Sequence, residues 1–153
     1  MLNPFPGIFT NRHLVTGVVA LVLAQLLKVL FDYWRTNSWK RALLFSTGGM
    51  PSSHSSLAVS VMISIGFFEG FDTTMFALSA VLAMVVMHDA AGIRRAAGKQ
   101  AEAINFLSSK LEAQGIKLDN QLKELLGHHP IEVIAGGLLG LVIAVLAILL
   151  FPL

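Results

Sequence analysis

The sequence contains four apolar segments whose lengths approach or reach what a membrane-crossing helix needs. They cover residues of about 12–33, 54–68, 74–90 and 131–151. A helix crosses the hydrocarbon core with about 20 mostly apolar residues, so we expect the short second segment to lie tilted or in thin bilayer. An open strand cannot satisfy its backbone polar groups in hydrocarbon. The sequence therefore predicts an all-α membrane bundle of about four helices, forming a single domain over residues 1–153.

The composition is typical of a protein whose solvent is lipid. Of the 153 residues, 55% are hydrophobic and 13% are charged, which is too little charge for a water-soluble domain of this size. The net charge of +2 is too small to indicate nucleic acid, and the absence of cysteine excludes thiolate chemistry. We interpret the first segment as a retained anchor because no small-residue cleavage site follows it. Lys28, near the end of this segment, is expected to extend toward the lipid headgroups.

The basic residues are concentrated in two of the three connections between the segments. Only Arg12 and Lys28 lie outside these two connections, which hold nine of the eleven Lys and Arg residues. Since two spans separate the connections, both lie on one side of the membrane. The positive-inside rule places that side in the cytoplasm and both termini on the opposite side. The long connection, 93–130, is rich in helix formers, and we expect helices over about 90–111 and 118–126.

A first polar stretch lies at the start of the second segment and reads Gly48-Gly49-Met50-Pro51-Ser52-Ser53-His54. Glycines let the backbone approach a ligand closely, and successive N–H groups at a helix start favour an anion. The two serine hydroxyls add donors, and His54 can exchange a proton near neutral pH. The alternative is a serine-rich N-cap, which would require neither the histidine nor the paired glycines.

A second polar stretch lies at the start of the fourth segment and reads Gly127-His128-His129-Pro130-Ile131-Glu132-Val133. His128 and Glu132 are four residues apart, so they share a helix face and can form a hydrogen bond. A carboxylate in that place holds the imidazole in one tautomer, which makes the other ring nitrogen a competent nucleophile. Glu132 also lies in an otherwise uncharged span, where ionisable groups are usually functional. The alternative is an interfacial carboxylate that pairs with a nearby lysine.

Together the two stretches resemble the type 2 phosphatidic acid phosphatases, which are related to the vanadium haloperoxidases, and more closely the divergent PAP2 branch. The resemblance implies that His54 protonates the leaving oxygen and that His128 is the nucleophile that forms a phosphohistidine. It also implies that Glu132 takes the place of the Asp that orients this nucleophile. Ser53 replaces the glycine of the usual Pro-Ser-Gly-His motif. His129 falls on a position that the family does not require.

The chain departs from the family pattern in other places. We interpret the first family motif, Lys-x6-Arg-Pro, as absent from the chain. The Ser-Arg pair expected before the third-motif histidine is missing, and Leu122 and Lys123 occupy that region. The familiar fold has about six spans, whereas about four are predicted here.

The cations that a phosphoryl-transfer site needs are expected in the segment that follows the third span. On a helix, His88, Arg95 and Lys99 share one stripe, and Arg94 is a further candidate for contact with phosphate. Asp89 is expected to orient an arginine or to bind His88. A stretch of Arg-Arg-Ala-Ala-Gly-Lys also takes this place in the divergent branch. The alternative is a juxtamembrane patch that binds anionic headgroups.

The sequence and the resemblance predict a membrane-bound phosphatase that hydrolyses a lipid phosphate or diphosphate without a metal or other cofactor. The residues expected to hold the phosphoryl oxygens are Ser52, Ser53, Gly48, Gly49, Arg94, Arg95 and Lys99. The alternative is a non-catalytic protein that binds phosphorylated lipid headgroups or a partner. A transporter fits less well, because the sequence shows no broken helix or polar midplane site. Gly136 and Gly140 favour close helix packing within the chain first and a homodimer contact second.

Overall fold

The computed structural model describes residues 6–39, Leu43, 49–114 and 128–150 of the chain. For residues 93–95 it describes the backbone and not the side chains. Within these residues there is no strand, and the helices are α1 (Pro6–Thr10), α2 (Arg12–Thr36), α3 (Ser53–Glu69), α4 (Thr74–Ala91), α5 (Ile93–Glu112) and α6 (Pro130–Leu150). The prediction of an all-α fold is confirmed. The predicted helix over 118–126, with Leu122 and Lys123, lies outside the described residues.

Three helical stretches among the described residues are long and apolar enough to cross a membrane. They are Arg12–Thr36, Thr74–Glu112, which joins α4 to α5, and Pro130–Leu150. Helix α3 has 17 residues and is therefore about 25 Å long, a little shorter than a hydrocarbon core of about 30 Å. It lies at the centre of the bundle, packed against α2, α4 and α6. The described residues thus include three full-length candidates and a short central helix, which is roughly consistent with the prediction of about four spans.

Polar side chains cap the starts of α2 and α4. The Asn11 side chain accepts hydrogen bonds from the backbone N–H groups of His13 and Leu14 at the start of α2. The side chain of Thr73 accepts from the Phe76 N–H at the start of α4. These contacts satisfy backbone donors that have no partner within the helix. At its other end α2 extends past the predicted residue 33 and stops at Asn37, whose φ of 51° is left-handed.

Two glycines of α6 allow this helix to lie directly against α3. A Cβ atom added at Gly136 would collide with the backbone carbonyl oxygen of Ser52, and one at Gly140 would collide with that of Ser56. Small residues at such positions let two membrane helices approach until their backbones touch. The prediction that this glycine pair serves packing within the chain is confirmed.

The centre of the bundle is built from small polar side chains. Six serines are at most 1% exposed, namely Ser52, which directly precedes α3, and Ser53, Ser55, Ser56, Ser60 and Ser64 of α3. Hydroxyl groups here find partners in nearby backbone, because Ser56 Oγ donates to the Ala20 carbonyl at 3.3 Å and Ser60 Oγ to the Leu57 carbonyl at 2.9 Å. A hydroxyl that is bonded in this way can be buried without a large penalty. The short serine-rich helix therefore brings α2 and α6 close together.

A polar cluster joins the start of α2 to the end of α3. His13 Nδ1 is 2.8 Å from Ser64 Oγ, and His13 Nε2 is 3.1 Å from the Glu69 carboxylate. Since α2 and α3 run in opposite directions, this cluster marks one end of the bundle. The start of α3 and the end of α2 lie at the other end.

Candidate active site

The two polar stretches meet at one end of the bundle. The backbone N–H of Ser52, which directly precedes α3, donates to the Glu132 carbonyl in the first turn of α6 at 3.0 Å. The contact of Gly136 with Ser52 brings the two helix starts together. The tight α3–α6 packing thus places His54 and His128 at the same end of the molecule.

His128 is held by the carboxylate four residues further along the chain. Its Nδ1 lies 2.9 Å from Glu132 Oε2, and the same oxygen accepts the backbone N–H of His129 at 3.1 Å. The ring is 1% exposed. A carboxylate can only accept here, so the ring proton is placed on Nδ1 and the lone pair on Nε2. This is the arrangement in which the second nitrogen of an imidazole can act as a nucleophile.

The second ring nitrogen of His128 is the unusual feature of this site. Nε2 is buried and has no hydrogen-bond partner among the residues that the structure describes. Burying a polar atom without a partner costs about 1–3 kcal/mol, so such atoms are rare in folded proteins. A ligand that binds to Nε2 would remove this cost.

The residues of the first stretch divide between capping and the candidate site. Ser52 Oγ accepts the Ser55 N–H at 3.4 Å and the Ser55 hydroxyl at 3.0 Å. Ser52 is therefore the N-cap of α3, as the alternative interpretation had it, and Ser53 is buried beside it. Gly49 has a φ of +94°, a conformation that glycine adopts at little cost. Gly48 lies outside the described residues.

The other predicted residues lie on three different helices. His54 is half-buried in the first turn of α3, and Asp89 is half-buried near the end of α4. Lys99 is exposed on α5, which among the described helices packs against α4 and not against α3 or α6. The side chains of Arg94 and Arg95 are not among those described. The described structure thus brings the two polar stretches together but does not bring Lys99 to them.

Lys28 is a part of this site that the sequence prediction placed elsewhere. It is 2% exposed, so the prediction that it extends toward the headgroups is wrong. Its aliphatic stem lies beside Gly49, where an added Cβ would be 3.3 Å from Lys28 Cγ and Cδ. Burial acts against its charge, and the opposite charge of Glu132 acts in its favour. The missing side chain at Gly49 leaves room for the lysine, and the carboxylate offers an opposite charge, so the cation lies inside the bundle.

The sequence model of a family described as the Divergent PAP2 family matches residues 9–143. The chain belongs to the Divergent PAP2 family. It is also 37% identical over 147 residues to the "Uncharacterized membrane protein YuiD" of Bacillus subtilis (strain 168), covering 89% of this chain and 93% of that protein. No solved structure matches the chain.

Lys28 also matches the lysine of the family's first motif. Six residues separate Lys28 from Arg35, and Thr36 follows where Lys-x6-Arg-Pro has proline. Both charged positions of the motif are therefore present, so the interpretation that nothing in the chain fits the motif was wrong for these two positions and holds for the proline. Seven residues make nearly two helical turns, so Lys28 and Arg35 share one face of α2. The spacing alone could have revealed both residues if proline had not been required.

The described residues hold no obvious metal site. In the parts of the chain that the structure describes, no three His, Asp or Glu side chains are grouped as a protein metal site usually requires. The buried ammonium of Lys28, whose stem lies beside Gly49, provides positive charge of a kind that suits an anion.

Proposed function

We propose that the protein is a membrane-bound phosphatase that hydrolyses a lipid phosphate or diphosphate through a phosphohistidine intermediate. The proposal rests on the hydrogen bonding and burial of the two ring nitrogens of His128. Its Nδ1 lies 2.9 Å from the Glu132 carboxylate, and its Nε2 is buried without a partner among the described residues. An imidazole held in this way directs one lone pair at a ligand, which is what attack on phosphorus requires.

The proposed reaction has two steps. Nε2 of His128 attacks phosphorus, and the bond from phosphorus to the lipid oxygen breaks while His54 gives that oxygen a proton. Glu132 stabilises the positive charge that forms on the imidazole. Water, which loses a proton to His54, then attacks phosphorus and breaks the phosphorus–nitrogen bond. The products are inorganic phosphate and either the lipid alcohol, from a lipid phosphate, or the lipid monophosphate, from a lipid diphosphate. Both histidines return to their initial states.

Positive charge for the phosphoryl oxygens comes from Lys28 and Arg35 in this proposal. Lys28 is buried beside Gly49, where little water screens its charge. Arg35 lies on the same face of α2 in its last turn, with an exposed side chain. Arg94, Arg95 and Lys99 stay predicted contacts for the same oxygens.

The class of substrate follows from the position of the site. His128 lies at the start of a membrane helix, so a phosphate that is linked to its own hydrocarbon tail can reach it from the bilayer. Phosphatidate, phosphatidylglycerophosphate and polyprenyl phosphates have this character. The positive-inside rule favours the cytoplasmic face for this end of the bundle.

One observation favours the alternative of a binding protein without turnover. The His128 ring is 1% exposed, so a substrate reaches Nε2 only when neighbouring groups move aside. A pocket that admitted phosphate but did not allow water to follow would bind a headgroup without hydrolysing it.

The test is phosphate release by the purified protein in liposomes from a panel of lipid phosphates, with a chelator present. We expect His128→Ala to abolish release, and His54→Ala to lower it strongly. Glu132→Gln should lower it on the order of 10²–10⁴-fold, because the ring loses its fixed tautomer. His129→Ala is the matched control and should be unaffected, since His129 contacts Glu132 through its backbone N–H and carbonyl.

Two further readouts separate turnover from binding. Acid-labile phosphate on His128 after rapid quenching would identify the intermediate, and vanadate should inhibit release by occupying the place of the transferring phosphoryl group. If every lipid phosphate stays intact while the wild type still binds vanadate or a lipid phosphate, the pocket is a binding site and the phosphatase proposal is wrong.

A further inference from the structure

A large apolar groove lies at the end of the bundle opposite to His128. It has a volume of about 560 Å³ and is formed by α1, α2 and α6. Its walls include Val15, Val19 and Leu23 from α2 and Ile143, Leu146 and Leu150 from α6. Cavities of this size and lining are typical of sites for hydrophobic ligands.

The depth of the groove matches one leaflet of a bilayer. Its lining on α2 runs from Arg12 in the first turn to Leu23, eleven residues further on. At 1.5 Å per residue this is about 16 Å, which is close to half of a hydrocarbon core of about 30 Å. A single acyl chain that enters from the surface has this reach.

The mouth of the groove contains a cation at the first residue of α2, where this membrane-length helix begins. Arg12 lines the groove, and its guanidinium lies over the Phe68 ring at 4.3 Å from the centroid. Among the described residues no carboxylate lies within salt-bridge distance of Arg12, and the nearby Glu69 is paired with His13. The guanidinium edge can therefore donate to a phosphate, which it fits with two parallel hydrogen bonds.

We propose that this groove binds one anionic phospholipid, with an acyl chain between α2 and α6 and its phosphate on Arg12. The lipid is a bound ligand and not a substrate, because the groove and the His128 site lie at opposite ends of the bundle. The positive charge at the mouth, the apolar walls and the one-leaflet depth together favour a phospholipid over a helix of a second copy.

The experiment counts the lipids that stay with the full-length protein. The protein is reconstituted in vesicles of phosphatidylcholine and phosphatidylglycerol, extracted in mild detergent and examined by native mass spectrometry. We expect the wild type to retain one phosphatidylglycerol. Arg12→Gln should weaken this retention on the order of tenfold, because a charge-assisted hydrogen bond is lost. Lys110→Gln, at an exposed cation outside the groove, should not change it.

A second pair of variants tests the groove itself. Val19→Trp fills the groove and should abolish retention, whereas Val18→Trp places the same ring on the neighbouring exposed position outside it. Thermal unfolding checks that both variants fold. If Val19→Trp does not fold, the retention measured for Arg12→Gln tests the proposal.

Three results would overturn the proposal. They are a wild type that retains no phosphatidylglycerol, equal retention by the Val18 and Val19 variants, and a lipid-free wild-type dimer that Val19→Trp converts to monomer. The last result would assign the groove to a second copy of the chain. None of these readouts uses phosphate release, so they leave the phosphatase proposal to its own test.

Discussion

Lys28 and Glu132 show how one residue pair can serve both the bundle and its site. An ammonium inside a membrane bundle is costly unless an opposite charge or hydrogen-bond acceptors lie close to it. Lys28 is 2% exposed and interacts with the charge of Glu132, whose Oε2 also binds the His128 ring and the His129 N–H. A phosphate that binds near Lys28 would add a second negative group to this buried cation, which favours binding of the anion.

The role of Lys28 can be tested by removing its charge. In Lys28→Gln we expect kcat for phosphate release to fall about 10²–10³-fold, since one donor to the transferring oxygens is lost, and vanadate to bind more weakly. Lys110→Gln removes an exposed cation from α5 and should keep the wild-type rate. A Lys28→Gln protein that unfolds at the wild-type temperature and keeps the wild-type kcat would exclude Lys28 from the site.

At the scale of helices, the site depends on how closely α6 approaches α3. The Ser52 N–H reaches the Glu132 carbonyl at 3.0 Å because Gly136 has no side chain to hold the two backbones apart. The neighbouring Gly137 differs, since a Cβ there would lie 3.4 Å from the flexible Met87 Cε. Adjacent glycines of one helix thus have different packing requirements.

The two glycines make a matched pair for a stability measurement. Gly136→Ala should destabilise the protein by about 1–3 kcal/mol, because the new methyl group forces α3 and α6 apart. Gly137→Ala should be neutral or stabilising by up to about 1 kcal/mol, because alanine is the better helix former. Thermal unfolding in detergent measures both. Equal unfolding temperatures for the two variants would contradict the close α3–α6 contact.

At the scale of the whole molecule, the two ends of the bundle differ in chemistry. One end holds His128, Glu132 and Lys28, and the other holds His13 with Ser64 and Glu69 and the apolar groove. The basic connections belong to the first end, which the positive-inside rule places in the cytoplasm. That orientation and a homodimer that closes the site stay predictions.

Labelling of introduced cysteines tests the orientation cleanly, because the chain has no cysteine of its own. Asp72 lies exposed in the α3–α4 turn, whereas Gly70 in the same turn has a φ of +109°, which disfavours other residues. In intact cells Asp72→Cys should react with an impermeant maleimide. Gln114→Cys, exposed after α5 in the long basic connection, should react only after permeabilisation. The reverse labelling pattern would mean that the protein has the opposite orientation in the membrane.

Local patterns in the sequence determined the class of the protein, most of its helices and the pairing of His128 with Glu132. The length of a hydrophobic segment and a spacing of four residues are local properties of the sequence, so they can be recognised without knowledge of the tertiary structure. The content of helix-forming residues, which is also a local property, predicted a helix over about 90–111, and the structure has this helix as α5, Ile93–Glu112. Helix ends were less accurate, because capping by Asn37 or Thr73 depends on backbone geometry.

Only the tertiary structure decided which distant groups share the site. Whether Lys28 reaches the lipid headgroups or lies beside Gly49 depends on the contact of α2 with the start of α3, and no local pattern records that contact. The unpartnered Nε2 of His128 and the groove beside Arg12 likewise arise from helices packed against one another. Periodicity and motif spacing identify the polar groups of a membrane protein, but their burial and partners are set by long-range packing.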